Sequence, residues 1–177
     1  MSQLRTSSRI ILRRFTSADL ADFQSYRNDQ EVGLYQGWSQ QSDADALKFL
    51  QGMGAAEFFR PGTWFQIGIA DRDTNSLLGD IGICVRHDEA EAEIGFSLCR
   101  QSHGLGLGSE AVREAISYIF DSTKCGQVIA ITDTRNLSAI RLLEGLGMQR
   151  TRSDGAVFRG QPCEEHTFIL QRQISTQ

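Results

Sequence analysis

The sequence is poor in several features that would direct it toward other protein classes. It has no run of about 20 apolar residues, the length needed for a membrane-crossing helix. Residues 1–9 are polar with no apolar centre, so no secretory leader is expected there. Only four cysteines occur, Cys84, Cys99, Cys125 and Cys163. They lie far apart with no C-x-x-C pair, which predicts neither a zinc site nor a disulfide framework. Scattered thiols without an export signal predict a cytoplasmic protein. Positive charge is also scarce: 18 Lys and Arg against 22 Asp and Glu give a net charge of −4. Nothing is left over to neutralise phosphates, which argues against a nucleic-acid partner. With two prolines, no repeat and no Pro/Gly-rich linker, the 177 residues read as one domain, 1–177.

The composition is that of a globular protein, 40% apolar and 23% charged. Residues 10–15 predict a first strand, and Ser17 an N-cap for a helix carrying Leu20, Phe23 and Tyr26. Asp43 is expected to cap a second helix, which Pro61-Gly62 closes off. Strands follow at 64–70, 77–85 and 92–99, the last two joined as a hairpin through 86–91. A helix over 109–121 buries a stripe of Ala111, Val112, Ala115, Ile116, Ile119 and Phe120. A strand at 128–132, a helix opened by Asn136 with Gly147 near its end, and strands at 148–152 and 165–171 complete the order βααβββαβαββ. This is a mixed α/β (α+β) domain with about four helices around a largely antiparallel sheet.

The most informative segment is Gln101-Ser102-His103-Gly104-Leu105-Gly106-Leu107-Gly108-Ser109-Glu110-Ala111. A strand runs in, alternate glycines follow and a helix runs out. Glycines let the backbone approach an anion, and a helix N-terminus offers unpaired N–H donors at its positive end. A nucleoside-triphosphate P-loop needs Lys-Ser/Thr after its last glycine, whereas Ser109-Glu110 stands here. A dinucleotide fingerprint wants its third glycine at 109 and the chain's first βα turn; the glycine falls at 108, after a hairpin. The pattern Gln101-x-x-Gly104-x-Gly106 matches the coenzyme A pyrophosphate loop of acetyltransferases, Q/R-x-x-G-x-G/A at a strand–helix junction.

With that loop, the sequence resembles the GNAT superfamily of N-acetyltransferases, and within it the branch that acetylates ribosomal-protein N-termini. Ala92-Glu93-Ile94-Gly95-Phe96 is similar to the fourth strand of that branch. Gly104 to Ala111 is similar to its pyrophosphate loop and helix. Asn136-Leu137-Ser138-Ala139-Ile140-Arg141-Leu142-Leu143-Glu144-Gly145-Leu146-Gly147-Met148 is similar to its coenzyme-flanking helix. The resemblance implies a sheet splayed between its fourth and fifth strands, with acetyl-CoA as cosubstrate in the gap and no metal. Main-chain groups at Leu98 and Cys99 would hold the pantetheine arm and acetyl carbonyl. Gln101, His103, Gly104, Leu105, Gly106, Leu107, Gly108 and Ser109 would form the phosphate loop, and Asn136 would cap its helix and touch the pantetheine. Residues 34–38, with Arg60, Trp64 and Phe65, fall where the superfamily lines its acceptor pocket. Two positions depart from the pattern: His103 stands where an aromatic residue is usual, and Ala139 where the family carries a serine that can protonate the departing thiolate. Ser138 should point about 100° away on the helix.

Acetyl transfer requires a base, because a lysine amine has a pKa near 10.4 and an α-amine near 8. Glu93 is the first candidate, since alternation places it on the face opposite Ile94, Phe96 and Leu98. It is also the end of a polar stretch, where a solvated carboxylate is ordinary. Asp80, mid-strand in Gly79-Asp80-Ile81-Gly82-Ile83, is the rival. If the hairpin closes through 86–91, Asp80, Gly82 and Cys84 share a face with Glu93, Gly95 and Ser97. Glu110 reads as a first-turn carboxylate stabilising its helix. The expected acceptor is a primary amine: a peptide N-terminus, a polyamine or an amino sugar. A non-catalytic acyl-CoA-binding module with the same fold is the alternative, and a homodimer is compatible with the sequence.

Overall fold

The computed structural model describes residues 3–173. Eight strands form one sheet in the order β1-β2-β3-β4-β5-β6-β8-β7. They are β1 (Gln3–Thr6), β2 (Ile10–Arg13), β3 (Phe65–Asp71), β4 (Leu77–Val85), β5 (Glu91–Leu98), β6 (Gln127–Asp133), β7 (Gln149–Phe158) and β8 (Gln161–Gln171). The helices are α1 (Leu20–Arg27), α2 (Asp43–Ala55), α3 (Leu107–Ser122) and α4 (Leu137–Gly145). Every neighbouring pair is antiparallel except β5 and β6. The mixed, largely antiparallel sheet with four helices is the architecture the sequence pattern predicts, with one more strand: β1 pairs with β2 at the N-terminal edge.

Strand alternation builds a layer on each face. Ile81 and Ile83 point toward α3, whose Ala111, Val112, Ala115, Ile116 and Ile119 are buried as one stripe. Asp80 points the other way, toward α1, on the face where Phe15, Phe23, Tyr26, Ala46 and Leu50 gather. Each fully buried Ile, Leu or Phe contributes about 1.5–3 kcal/mol relative to exposure, so these two clusters fix which helix covers which face. On the α1 face the buried Arg13 donates to both oxygens of Asp19 (2.9 and 2.7 Å), and the Asp19 carboxylate also accepts from Thr16 N–H (2.7 Å).

Several boundaries move, for local reasons. Thr16 and Asp19 lead a 3-10 turn, Ser17–Asp19, into α1, so Ser17 is not the cap. Ser42, whose hydroxyl accepts from Asp45 N–H, caps α2 in place of Asp43. The largest difference is at the C-terminal end, where β7 and β8 form a hairpin of 10 and 11 residues around a two-residue turn, Arg159-Gly160.

Pairing of β5 with β6 runs from Glu91↔Gln127 to Ile94↔Ala130 and stops there. Both strands continue, β5 to Leu98 along β4 and β6 to Asp133 along β8. The sheet is therefore splayed between these strands, which are the fourth and fifth of the seven expected from the sequence. Among the described residues no helix is long and apolar enough to cross a membrane.

Candidate active site in the splayed sheet

The splay opens a cleft of about 870 Å³, walled by β5, β6, the start of α3 and α4, and the segment around the 3-10 turn Val32–Tyr35. One edge of β5 is left without a strand partner beyond Ile94. A residue's N–H and C=O lie on the same edge of a strand, so every second peptide faces the gap. Phe96 and Leu98 are those residues: Gln36 Nε2 donates to Phe96 O (3.2 Å) and His103 Nε2 donates to Leu98 O (3.0 Å). Cys99 faces the other way, its N–H donating to Leu78 O (2.7 Å), and it does not line the cleft.

The glycine loop forms the second wall. Gly104 and Gly106 have φ of +74° and +77°, a conformation that disfavours any residue with a Cβ. Gly106 is thereby the N-cap of the 16-residue α3, which begins at Leu107, two residues before the predicted start. Ser109 therefore sits in the first turn and is not the cap. The first-turn N–H groups have no acceptor within the helix and lie at its positive end. His103, Gly104, Gly106, Gly108 and Ser109 line the cleft; Gln101, Leu105 and Leu107 do not. Leu105 is 57% exposed and Leu107 packs against the core. Asn136 lines the cleft and caps α4, its Oδ1 accepting from Ala139 N–H (3.2 Å). Ala139 and Ser138 both face the same space.

A feature the motif does not announce holds the loop in place. Glu110 accepts from the hydroxyls of Ser7 and Ser8, from Arg9 N–H (2.9 Å) and from Arg9 Nε (2.7 Å). Arg9 Nη1 in turn donates to Leu105 O (2.8 Å). Burial alone would raise the Glu110 carboxyl, but the donors of Ser7, Arg9 and Ser8 outweigh it and bring its pKa to about 2. Nothing in the spacing links residues 7–9 to 105–110, a hundred residues away.

The two candidate bases part company. In the β4–β5 hairpin Asp80 pairs with Ser97, Gly82 with Gly95 and Cys84 with Glu93, so all six share a face. Asp80 is nonetheless buried under α1, where it accepts from Tyr26 Oη and from Arg27 Nη2 (2.9 Å), and it does not line the cleft. Burial and this carboxylate hold the Tyr26 phenol well above its usual pKa, so it stays a donor. Asp80 therefore serves a buried ion pair. Glu93 does line the cleft, with Arg86 Nη2 at 3.0 Å and its side chain 23% exposed. Burial raises its pKa, Arg86 opposes the rise, and Glu91 and Glu165 add to it. Glu165 also lines the cleft. A Cβ built on Gly95, two residues along, would meet nothing within 4 Å, so there is room for a second molecule beside Glu93.

Tyr35, Gln36 and Gly37, from the stretch expected to line the acceptor pocket, and Phe158 line the cleft; Arg60, Trp64 and Phe65 do not. Tyr35 Oη donates to Arg135 O (3.3 Å) across the mouth. Phe158 and Glu165 carried no motif signal, because the topology of β7 and β8 brings them here, while Arg141 comes from within the Asn136 helix motif.

The fold recurs in known proteins. A family model described as an acetyltransferase (GNAT) domain matches residues 9–149. The N-acetyltransferase p20 of Bacillus licheniformis, itself uncharacterised, is 27% identical over 145 residues, 81% of each chain. A GNAT-family acetyltransferase from Bacillus anthracis superposes with a TM-score of 0.83 at 21% identity, covering 94% of this chain and 96% of that one. The ribosomal L7/L12 α-N-protein acetyltransferase RimL, in complex with coenzyme A, gives 0.80 at 12% identity, covering 96% and 98%. At these identities the structural likeness is one of fold, but the family match spans most of the sequence, including the splayed strands, the glycine loop and the Asn136 helix. The chain belongs to the GNAT acetyltransferase domain family.

Proposed function

We propose that this protein transfers the acetyl group of acetyl-CoA to a primary amine by direct attack in a ternary complex. The observation that carries the reading is the joining of two features in one cleft: a helix N-terminus opened by left-handed Gly106, and the half-buried carboxylate of Glu93. The donor set fits the cosubstrate. Amides of 107–109 at the head of α3 would receive the pyrophosphate, with the Arg9 guanidinium alongside: its Nη2 would lie 3.5 Å from a Cβ on Gly106. The cleft-facing peptides of Phe96 and Leu98 and the capping Asn136 would hold the pantetheine arm.

Glu93 is assigned as the general base. A carboxylate with a raised pKa is a better proton acceptor than an ordinary one; burial raises Glu93, the Arg86 charge opposes the rise, and Glu91 and Glu165 add to it. The ammonium gives one proton to Glu93, and the neutral nitrogen bonds to the thioester carbonyl carbon. The C–S bond breaks, and the second N–H proton ends on the departing thiolate, giving the amide and the free thiol. The negative charge developing on the carbonyl oxygen needs donors, which the peptide edge of β5 can supply. The departing thiolate, whose thiol pKa is about 8.5, needs little help to leave.

Thermal unfolding with and without saturating acetyl-CoA tests the first half, with NAD and ATP as controls. A ligand at 100 times its Kd stabilises by about 2.7 kcal/mol. A shift specific to acetyl-CoA and absent in Gly106→Glu is the expected result; a shift with NAD or ATP alone would refute it. Turnover of a primary amine tests the second half. Ala139, where the family pattern has serine, favours the other reading, a coenzyme-binding module without catalysis, and binding without turnover of any amine would establish it.

A further inference from the structure

The turn between β7 and β8 carries an energetic oddity. Arg159 and Gly160 have φ of +50° and +76°, the two positive values of a type I′ hairpin turn. Asn, Asp or Gly suits the first of these positions, whereas a long side chain with a Cβ is strained there. Backbone strain that persists in a two-residue turn directs attention to what the side chain does. Here Arg159 Nη2 lies 3.0 Å from Gly33 O, 3.1 Å from Gln36 O and 3.2 Å from Trp38 O, so its two N–H bonds are shared among three main-chain acceptors. The guanidinium carbon also lies 5.1 Å from the centre of the Phe158 ring, which lines the cleft.

Those three carbonyls belong to the segment that supplies Tyr35, Gln36 and Gly37 to the cleft wall. Elsewhere the segment is tied at its ends, where Val32 is buried and the Trp38 ring packs under the Arg27 guanidinium at 3.8 Å. Gln36 Nε2 reaches Phe96 O on β5, and Tyr35 Oη reaches Arg135 O. Leu34 is 53% exposed and anchors nothing. Between those ends, the carbonyls of Gly33, Gln36 and Trp38 are gathered by a single side chain from about 120 residues away, at the tip of the hairpin. The segment lines the same cleft as Glu93 and Gly95.

We propose that Arg159 is a positioning residue for the acceptor amine: by pinning residues 33–38 to the hairpin tip it sets the wall against which the acceptor is held beside Glu93. This inference rests on the acetyl-transfer reading given above. Because the strain and the contact reside in one side chain, the substitution Arg159→Asn separates them. Asparagine suits the turn, so the hairpin and the fold are retained or gain stability, while the three carbonyls lose their donor.

The test combines kinetics with hydrogen exchange on the full chain. Spermidine, a serine-initiated hexapeptide and an aminoglycoside serve as probe amines. Arg159→Asn is expected to raise KM for the amine that the wild type acetylates by about tenfold, the factor that corresponds to about 1.4 kcal/mol. Its kcat and its KM for acetyl-CoA should stay within about twofold, and Arg159→Lys should recover part of the loss. Exchange of the Gln36 amide, which donates to Gly33 O, should quicken in Arg159→Asn. Faster exchange with an unchanged amine KM would overturn the positioning role, and unchanged exchange would overturn the clamp itself. If the wild type binds acetyl-CoA but acetylates none of the probes, the acetyl-transfer reading fails and takes this inference with it. The two failures are thus told apart by the wild type alone.

Discussion

Replacing Glu110 by glutamine tests what holds the glycine loop more directly than changing the loop itself. The carboxylate collects the hydroxyls of Ser7 and Ser8, the Arg9 amide and the Arg9 guanidinium, and it is only 12% exposed. A pKa lowered from 4.5 to about 2 corresponds to at most about 3 kcal/mol of stability at neutral pH. The Arg9 side chain is 50% exposed, and solvent screening brings the expectation down to about 2 kcal/mol. Glutamine keeps the shape and one acceptor but turns an N–H₂ group toward the Arg9 donors. For a chain of this size the loss amounts to about 4–8 °C in Tm. The folded pKa lies below the unfolded one, so this stability is fully present above about pH 5 and is lost as pH falls toward 2. Urea unfolding of both proteins at pH values of about 7, 5 and 3 should show the gap narrowing with acid. An equal gap at all three, or none at pH 7, would refute the reasoning. Arg9 also holds Leu105 O, so the same variant should show a smaller acetyl-CoA-induced Tm shift.

Three further expectations concern the cleft. Glu93→Gln should lower kcat by a factor of about 10²–10⁴ and abolish the acidic limb of the kcat/KM profile, which in the wild type lies above the ordinary carboxylate range. Arg86→Met should move that limb to higher pH, because the Arg86 charge opposes the rise in Glu93; a limb that stays in place would mean another group titrates. Gly106→Ala, at φ +77°, should cost about 1 kcal/mol in unfolding assays and remove the acetyl-CoA-dependent shift, whereas Gly52→Ala, in α2 with nothing within 4 Å of the added Cβ, should stabilise by about 0.5–1 kcal/mol.

What the sequence made legible was whatever repeats at short range. Alternation placed Glu93 opposite Ile94 and Phe96, and closing the hairpin through 86–91 puts Asp80, Gly82 and Cys84 on the face of Glu93, Gly95 and Ser97; the structure has that face, with the register Asp80↔Ser97 and Cys84↔Glu93. The buried stripe of α3 and the Asn136 cap are equally local. Alternation could not tell that α1 would bury Asp80 against Arg27, because that partner comes from 53 residues away. The same limit hid the grip of Arg9 on the loop and the reach of Arg159. The second half of β7, beyond the strand expected at 148–152, escaped because Ser153, Asp154 and Gly155 are poor strand formers in an exposed strand at the sheet edge, held by its hairpin partner and not by a buried face. The helix expected from 109 starts at Leu107, because Gly106 at positive φ serves as its N-cap.

The departure at Ala139 has a testable consequence. Ala139 is 9% exposed, faces the cleft, and its N–H is held by Asn136 Oδ1, so a serine there would project its hydroxyl into the space where the thiolate departs. If removal of the amine proton by Glu93 limits turnover, then protonating a thiolate whose thiol pKa is about 8.5 adds little. Ala139→Ser should then change kcat by less than about threefold, or about 0.7 kcal/mol in the barrier. Ser138, exposed but also facing the cleft, provides the control. If its hydroxyl already serves the thiolate, Ser138→Ala should cost tenfold or more, and the double variant should recover. A tenfold gain in kcat for Ala139→Ser alone would show that thiolate protonation is the slow step, and that Glu93 is not where the barrier of this enzyme lies.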